Sequence, residues 1–340
     1  MRFVCKIIMS LPKPIKFQVE RYVGGLSQFK KIENPIKLSA NESALGPSPK
    51  AIEAFEKEKN KLFKYPEDDS NSLREVLSNK FKIDSKRIIC GSGSDQIFDL
   101  TCRLFLNPDD EVIVTEFGFI MYKIYASLSR AKVVLAKEKN FKASVEEIIK
   151  KVSDKTKIVF IANPNNPTGT YLSKKEMLDL RKKLRSDILL VVDDAYFEFI
   201  NSGNFSSGLD LFKDSANVLV TRTFSKIYGL ASLRLGWGYS SKEIIDNMYQ
   251  IKPPFNVNRA VLAAGASAIK DGEWTKKAID HNTLWAKKIF SILKEYNIKT
   301  NEPAVNFFLM NFDETKINSD EAFEKLAADK LIVRKMTQYK

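Results

Sequence analysis

Four short segments carry residue types that could act together on a ligand. GSGSDQ at 91–96 follows the apolar run RIIC and opens a helical stretch. Glycines let backbone approach a ligand, and a helix N-terminus offers free N–H groups to an anion. Alone, this segment reads equally as a plain Gly/Ser turn. NPNNPTG at 163–169 directly follows KIVFIA. Its prolines fix the loop and set the Asn166 amide at the strand end. VVDDAY at 191–196 ends an apolar strand on Asp193, with Tyr196 three residues on. A carboxylate in that position is costly without a cationic partner, and a protonated ring nitrogen would be one. Capping of the next turn is the alternative for this Asp. TFSKIYGLASLRLGWGY at 223–239 places Lys226 just past the strand NVLVT. A lysine amine that sheds its proton can attack an aldehyde. Thr223, Ser225 and Arg234 are suited to a phosphate. A lone lysine is usually a surface residue, but these four segments occur in order, each at a strand end.

The elements that must position them alternate. Apolar runs at 87–90, 111–115, 132–136, 157–162, 188–193, 217–221 and 233–239 read as strands. Helical patterns are expected at 48–62, 70–81, 94–106, 120–129 and 173–185. Short apolar strands between helices predict an α/β fold with a mainly parallel seven-stranded sheet sandwiched by helices. Ligands in such folds bind beyond the carboxyl ends of the strands. After residue 241 long helices dominate (241–250, 257–270, 272–296). A strand at 305–312, a helix at 319–328 and a strand at 331–334 complete a smaller α/β domain. The expected division is an N-terminal arm (1–45), a large domain (46–245) and a small C-terminal domain (246–340). At 340 residues two domains are the ordinary expectation.

Composition narrows the chemistry. Cys5, Cys90 and Cys102 are widely spaced, and His281 is the one histidine, so no metal site of Cys and His is expected. Sparse thiols suit a reducing, cytoplasmic setting. His281 lies in a polar helical stretch and reads as a solvated residue. The net charge of +13 raises nucleic-acid binding. The lysines, however, are spread and alternate with acids, as on solvated helix faces; neither a nucleic-acid nor a membrane partner is expected. No run approaches the ~18 apolar residues of a span. The opening MRFVCKIIMSLP is at most a weak signal segment, interrupted by Lys6, and Met9 is an alternative start.

Taken in order, the motifs resemble the fold-type I, pyridoxal-phosphate-dependent aminotransferases, from about residue 15 to 340. LSANESALGPSP (38–49) and YPEDDSNSLREVL (65–77) are similar to segments of the histidinol-phosphate aminotransferase group within them. The resemblance implies that Lys226 carries pyridoxal 5'-phosphate as a Schiff base and moves protons. It implies that Asp193 pairs with the ring nitrogen, so the ring remains an electron sink. Tyr196 and Asn166 would hydrogen-bond the ring's phenolic oxygen. Ser94, Asp95, Thr223, Ser225 and Arg234 would surround the phosphate, and Phe119 would stack on the ring. Tyr65 matches a tyrosine that reaches the phosphate in the neighbouring subunit, which implies a homodimer with shared sites. Asn41, Asn166 and Arg334 would contact substrate, an amino donor or a 2-oxo acid acceptor.

The implied reaction moves the amino group of L-histidinol phosphate to 2-oxoglutarate, in histidine biosynthesis. Aromatic amino-acid aminotransferases and phospho-amino-acid decarboxylases share all these cofactor positions. A pyridoxal-phosphate-sensing regulator would carry an added helix-turn-helix domain, and no such segment precedes residue 15. The resemblance departs at the end. The family continues past LIVRKMTQYK with a Leu-Arg strand whose arginine clamps a carboxylate, so the small domain is expected to be truncated at Lys340.

Overall fold

The computed structural model describes residues 15–339, apart from Gln18, Glu20, Lys30 and Lys31. Cys5 and the alternative start at Met9 lie outside the described residues. The first element is a two-residue strand, β1 (Ile36–Lys37), within an otherwise extended arm. Helix α1 (Pro49–Glu56) begins on Ser48, whose hydroxyl accepts from the Lys50 N–H. It stops six residues short of the expected end. The run after Glu56 is polar and exposed, so it offers no apolar face to hold more helix. Next come α2 (Asn71–Phe81), β2 (Ile88–Gly91), α3 (Ser94–Phe105), β3 (Glu111–Thr115), α4 (Ile120–Leu128) and β4 (Lys132–Ala136). A small hairpin, β5 (Glu138–Lys139) and β6 (Lys142–Ala143), and a short helix α5 (Val145–Lys150) lead into β7 (Thr156–Ala162). Then α6 (Lys174–Lys183), β8 (Leu189–Asp193), α7 (Gly208–Phe212), β9 (Val218–Thr223) and β10 (Gly236–Tyr239) complete the sheet region.

Seven strands form one sheet in the order β2-β10-β9-β8-β7-β3-β4. β10 runs antiparallel to both its neighbours, and the remaining pairings are parallel. β3 and β8 are buried at every residue, which is why they read as unbroken apolar runs. The two faces pack separate cores. Leu190, Val192, Val218, Val220 and Trp237 face one side; Leu189, Val191, Leu219 and Ile89 face the other, against α3 and α4. Parallel pairing brings the carboxyl ends of β2, β3, β7, β8 and β9 to one edge. Antiparallel β10 brings its amino end, with Arg234, to that same edge.

Four helices follow: α8 (Lys242–Ile251), α9 (Arg259–Lys270), α10 (Gly272–Glu295) and α11 (Ser319–Ala328), with β11 (Leu331–Ile332) after them. The strand expected at 305–312 does not form. Only Asn311 pairs, across an isolated bridge to Lys299. The apolar residues there are used otherwise: Val305 is buried in the core and Phe307 packs against it. An apolar run becomes a strand only where a neighbour accepts its backbone. The expected strand at 331–334 shortens to Leu331–Ile332. Its partner is β1, in parallel register Ile36 with Leu331. Arm and C-terminal region therefore share a two-stranded sheet.

Candidate active site

A cavity of about 1420 Å³ opens where the strand ends converge. Asn41, Ser94, Asp95, Phe119, Asn166, Asp193, Tyr196, Thr223, Ser225, Lys226, Arg234 and Arg334 all line it. Tyr65 does not. Its ring is exposed and stacks on Phe255 at 4.6 Å, with Arg259 donating to its carbonyl.

At the floor of the cavity Asp193 ends β8, buried at 5% exposure. Its Oδ2 accepts from the Tyr122 hydroxyl at 2.6 Å and its Oδ1 from the Thr221 hydroxyl at 3.2 Å. Burial pushes the carboxyl up to about 6, against these two donors, which pull it down. No cation pairs with it among the described residues. Sequence reasoning missed both donors. Tyr122 lies in the first turn of α4, and its ring meets that of Phe119, the residue before the helix, edge-on at 5.6 Å. Thr221 is the register partner of Asp193 on β9.

Lys226 lies three residues past β9. Its Nζ donates to the Ala40 carbonyl at 3.3 Å and sits 5.4 Å from the Tyr196 ring centre. The Tyr196 hydroxyl accepts from Asn41 Nδ2 at 3.2 Å. The turn carrying Lys226 requires Gly229, at φ +67°, where a Cβ would lie 2.4 Å from the Gly46 carbonyl. The segment from Ala40 to Gly46 thus closes over the lysine loop, Gly46 by direct backbone contact.

In the loop after β7, the asparagines divide their tasks. Asn163 clasps Leu172 through two hydrogen bonds, and Asn165 donates to the Phe117 carbonyl and Thr168. Asn166 is left toward the cavity, with no side-chain hydrogen bond among the described residues. Opposite it, α3 starts at Ser94 behind Gly93 at φ +80°, with no side chain capping its first N–H groups. Arg234 donates to Asp95 Oδ2 at 3.0 Å and to Ser225 Oγ at 3.3 Å. Burial raises the Asp95 carboxyl, while Arg234 and Lys226 oppose that. Its buried Oδ1 has no partner among the described residues.

The far end of the cavity is lined by Arg334, His281 and Trp285. Arg334 donates to the Val23 carbonyl at 3.2 Å and reaches the Tyr22 hydroxyl at 3.5 Å. His281 sits half-buried on α10 with its ring 6.3 Å from Trp285. Among the described residues no group of three or more His, Cys, Asp and Glu side chains could hold a metal ion, and no helix is long and apolar enough to cross a membrane.

An amine, an uncompensated buried carboxylate and a cluster of phosphate-compatible donors around one cavity define an α/β enzyme of the fold-type I aminotransferase class. The chain belongs to the family described as aminotransferase class I and II, whose model matches residues 33–340. It is similar to the histidinol-phosphate aminotransferase of Pelagibacter ubique, at 53% identity over 96% of this chain and 91% of that protein. It is also similar to the histidinol-phosphate aminotransferase of Maricaulis maris, at 39% identity over 96% and 91%. In fold it matches the Sinorhizobium meliloti histidinol-phosphate aminotransferase solved in complex with pyridoxal-5'-phosphate, with a TM-score of 0.82. Identity to that structure is 23%, covering 88% of this chain and 82% of that one.

Proposed function

We propose that this chain is a histidinol-phosphate aminotransferase, transferring the amino group of L-histidinol phosphate to 2-oxoglutarate with pyridoxal 5'-phosphate. The observation that carries the cofactor reading is Asp193, buried without a cation on the same cavity as Lys226. A protonated ring nitrogen would supply the missing charge. The start of α3, whose first N–H groups no side chain caps, likewise fits a bound phosphate. The donor reading is supported by the 53% identical relative.

When bound, the cofactor supplies an aldehyde for amine exchange and a ring that accepts electron density. The residues do the rest. Lys226 would hold the cofactor and would move a proton at the substrate carbon. Asp193 keeps the ring nitrogen protonated. Tyr196 and Asn166 would hold the ring oxygen, and Phe119 would stack on the ring. Thr223, Ser225 and Arg234 would anchor the phosphate through their side chains, and Ser94 and Asp95 largely through backbone N–H. Asn41, Asn166 and Arg334 receive the substrate. The enzyme is read as a cytoplasmic homodimer, in which the exposed Tyr65 completes the partner's phosphate site.

Borohydride should fix the cofactor on Lys226, seen as a modified peptide by mass spectrometry. Half-reaction spectra should then show faster conversion with histidinol phosphate than with phenylalanine or tyrosine. A chain that takes up no pyridoxal phosphate sinks the reading; faster turnover of phenylalanine sinks the donor assignment alone. The dimer is tested by mixing Tyr65→Phe with Lys226→Ala subunits. In mixed dimers one site carries both defects and the other neither, so activity reappears. A mixture as inactive as its weaker parent, with subunit exchange verified, refutes the shared site.

A further inference from the structure

Tyr122 is 1% exposed and wedged among aromatic rings. It stacks on Phe160 at 4.7 Å and 7°, and meets Phe98 edge-on at 5.1 Å. Phe119 packs edge-on from the cavity side at 5.6 Å. The ring therefore has one place to sit, and its hydroxyl has one acceptor, Asp193 Oδ2 at 2.6 Å. That distance lies in the range of charge-assisted O–H···O⁻ bonds.

We propose that Tyr122 is a positioning residue that holds Asp193 as an oriented anion, so that the pocket prefers a ligand bearing a protonatable ring nitrogen over its neutral isostere. The proposal rests on the pyridoxal-phosphate reading above. A donor to the charged form favours that form. Burial works the other way and pushes Asp193 up to about 6. The groups that face the carboxylate are Tyr122 on α4, Thr221 on β9, the Ala195 backbone N–H just past β8 and, at longer range, Asp95 on α3; Tyr122 lowers it most. Asp95 disfavours the anion, and Thr221 is a longer, neutral contact at 3.2 Å, so Tyr122 is the main support for the charge. The Tyr122 phenol itself is raised well above its ordinary range by burial and by Asp193. It therefore stays protonated and remains the donor.

Tyr122→Phe keeps the ring and its aromatic contacts and removes only the donor. The test compares equilibrium binding of pyridoxal phosphate and of its 1-deaza analogue, which lacks the ring nitrogen, to the cofactor-free protein. Losing a hydrogen bond to a charged group should weaken pyridoxal phosphate binding about tenfold and leave the 1-deaza analogue unchanged. Asp193→Asn should abolish the preference altogether. Equal weakening of both ligands, or no change in either, overturns the proposal, because packing alone cannot sense the nitrogen. If the unaltered protein binds neither ligand, the cofactor reading falls first and this inference with it. Should Tyr122→Phe not fold, 3-fluorotyrosine at position 122 provides a stronger donor in the same space. The Asp193 carboxyl, followed by 13C NMR in the cofactor-free protein, should then titrate lower; an unmoved titration refutes the role.

Discussion

Arg222 Nη2 and Asp194 Oδ2 meet at 3.7 Å on the sheet face turned away from Asp193, one residue along from Thr221 and Asp193 themselves. Side chains alternate along a strand, so the residues that build the cavity and the residues that brace it are neighbours in sequence. Asp194 also accepts from the N–H groups of Gly208 and Leu209 at the start of α7, at 3.0 and 3.4 Å. Arg222 lies 3.7 Å from the centre of the Phe197 ring and 4.5 Å from that of Phe81. Together they tie the ends of β8 and β9 to α7 beneath the site.

Arg222→Met should therefore be strongly destabilising. It removes the cation that faces buried Asp194 and Glu198, a lesion of about 3–5 kcal/mol. Asp194→Asn on top of it should recover part of the loss. Urea unfolding of the cofactor-free proteins measures both. An Arg222→Met midpoint equal to wild type shows that the pair bears no strain.

The same cluster sets a pH dependence. Burial pushes Asp193 to about 6, Asp194 to about 7 and Glu198 to about 8. Glu198 faces Arg222, Asp194 and Tyr228; Arg222 lowers it and Asp194 raises it. Each folded pKa lies above its unfolded value. The folded state thus holds protons that the unfolded state has lost, and the stability so gained is present below about pH 4 and disappears as pH rises through 6 to 8. One such group contributes at most about 1.4 kcal/mol per pH unit within its window. Cofactor-free protein should lose stability between pH 5 and 8.5, and Glu198→Gln should make that decline shallower. Parallel pH profiles for the two proteins would show that Glu198 titrates normally.

Much of this arrangement is legible in the residues. Asp193 betrays itself as a charge closing an apolar run, and Lys226 as the end of a hydroxyl-rich turn after a strand. All seven sheet strands fall within two or three residues of their apolar runs. What stays hidden depends on contacts between distant segments. Tyr122 looks like any core aromatic until β8 sets Asp193 opposite it. The run at 305–312 has the composition of a strand, yet the deciding fact is a missing neighbour for its backbone. Leu331–Ile332 pairs with Ile36–Lys37, some 300 residues away, and no local pattern announces that. Tyr65 is a different case, since one chain leaves it in the open.

Gly236 illustrates how such a distant contact can be tested. It opens β10 opposite Gly91 and Thr223. A Cβ there would sit 2.3 Å from the Ser94 nitrogen and 2.6 Å from the Gly93 carbonyl carbon. Both are backbone atoms, so no side chain can swing aside; either the loop before α3 or the strand must move. Arg234, two residues upstream, ties that strand to Asp95 and Ser225. Gly236→Ala should therefore open the spacing between the start of α3 and the Thr223–Arg234 segment. Overpacking of this kind costs about 1–3 kcal/mol of stability. The sharper consequence concerns the ligand. If these two segments grip a phosphate from opposite sides, pyridoxal phosphate should bind at least about tenfold more weakly, since a displaced donor forfeits a hydrogen bond to a charged acceptor. Pyridoxal, which lacks the phosphate, should lose little. Gly203→Ala, where a Cβ meets nothing within 4 Å, serves as the control and should change neither affinity. Equal losses for pyridoxal and its phosphate would mean a general distortion of the cavity, and unchanged affinity for both would mean that the phosphate is held elsewhere.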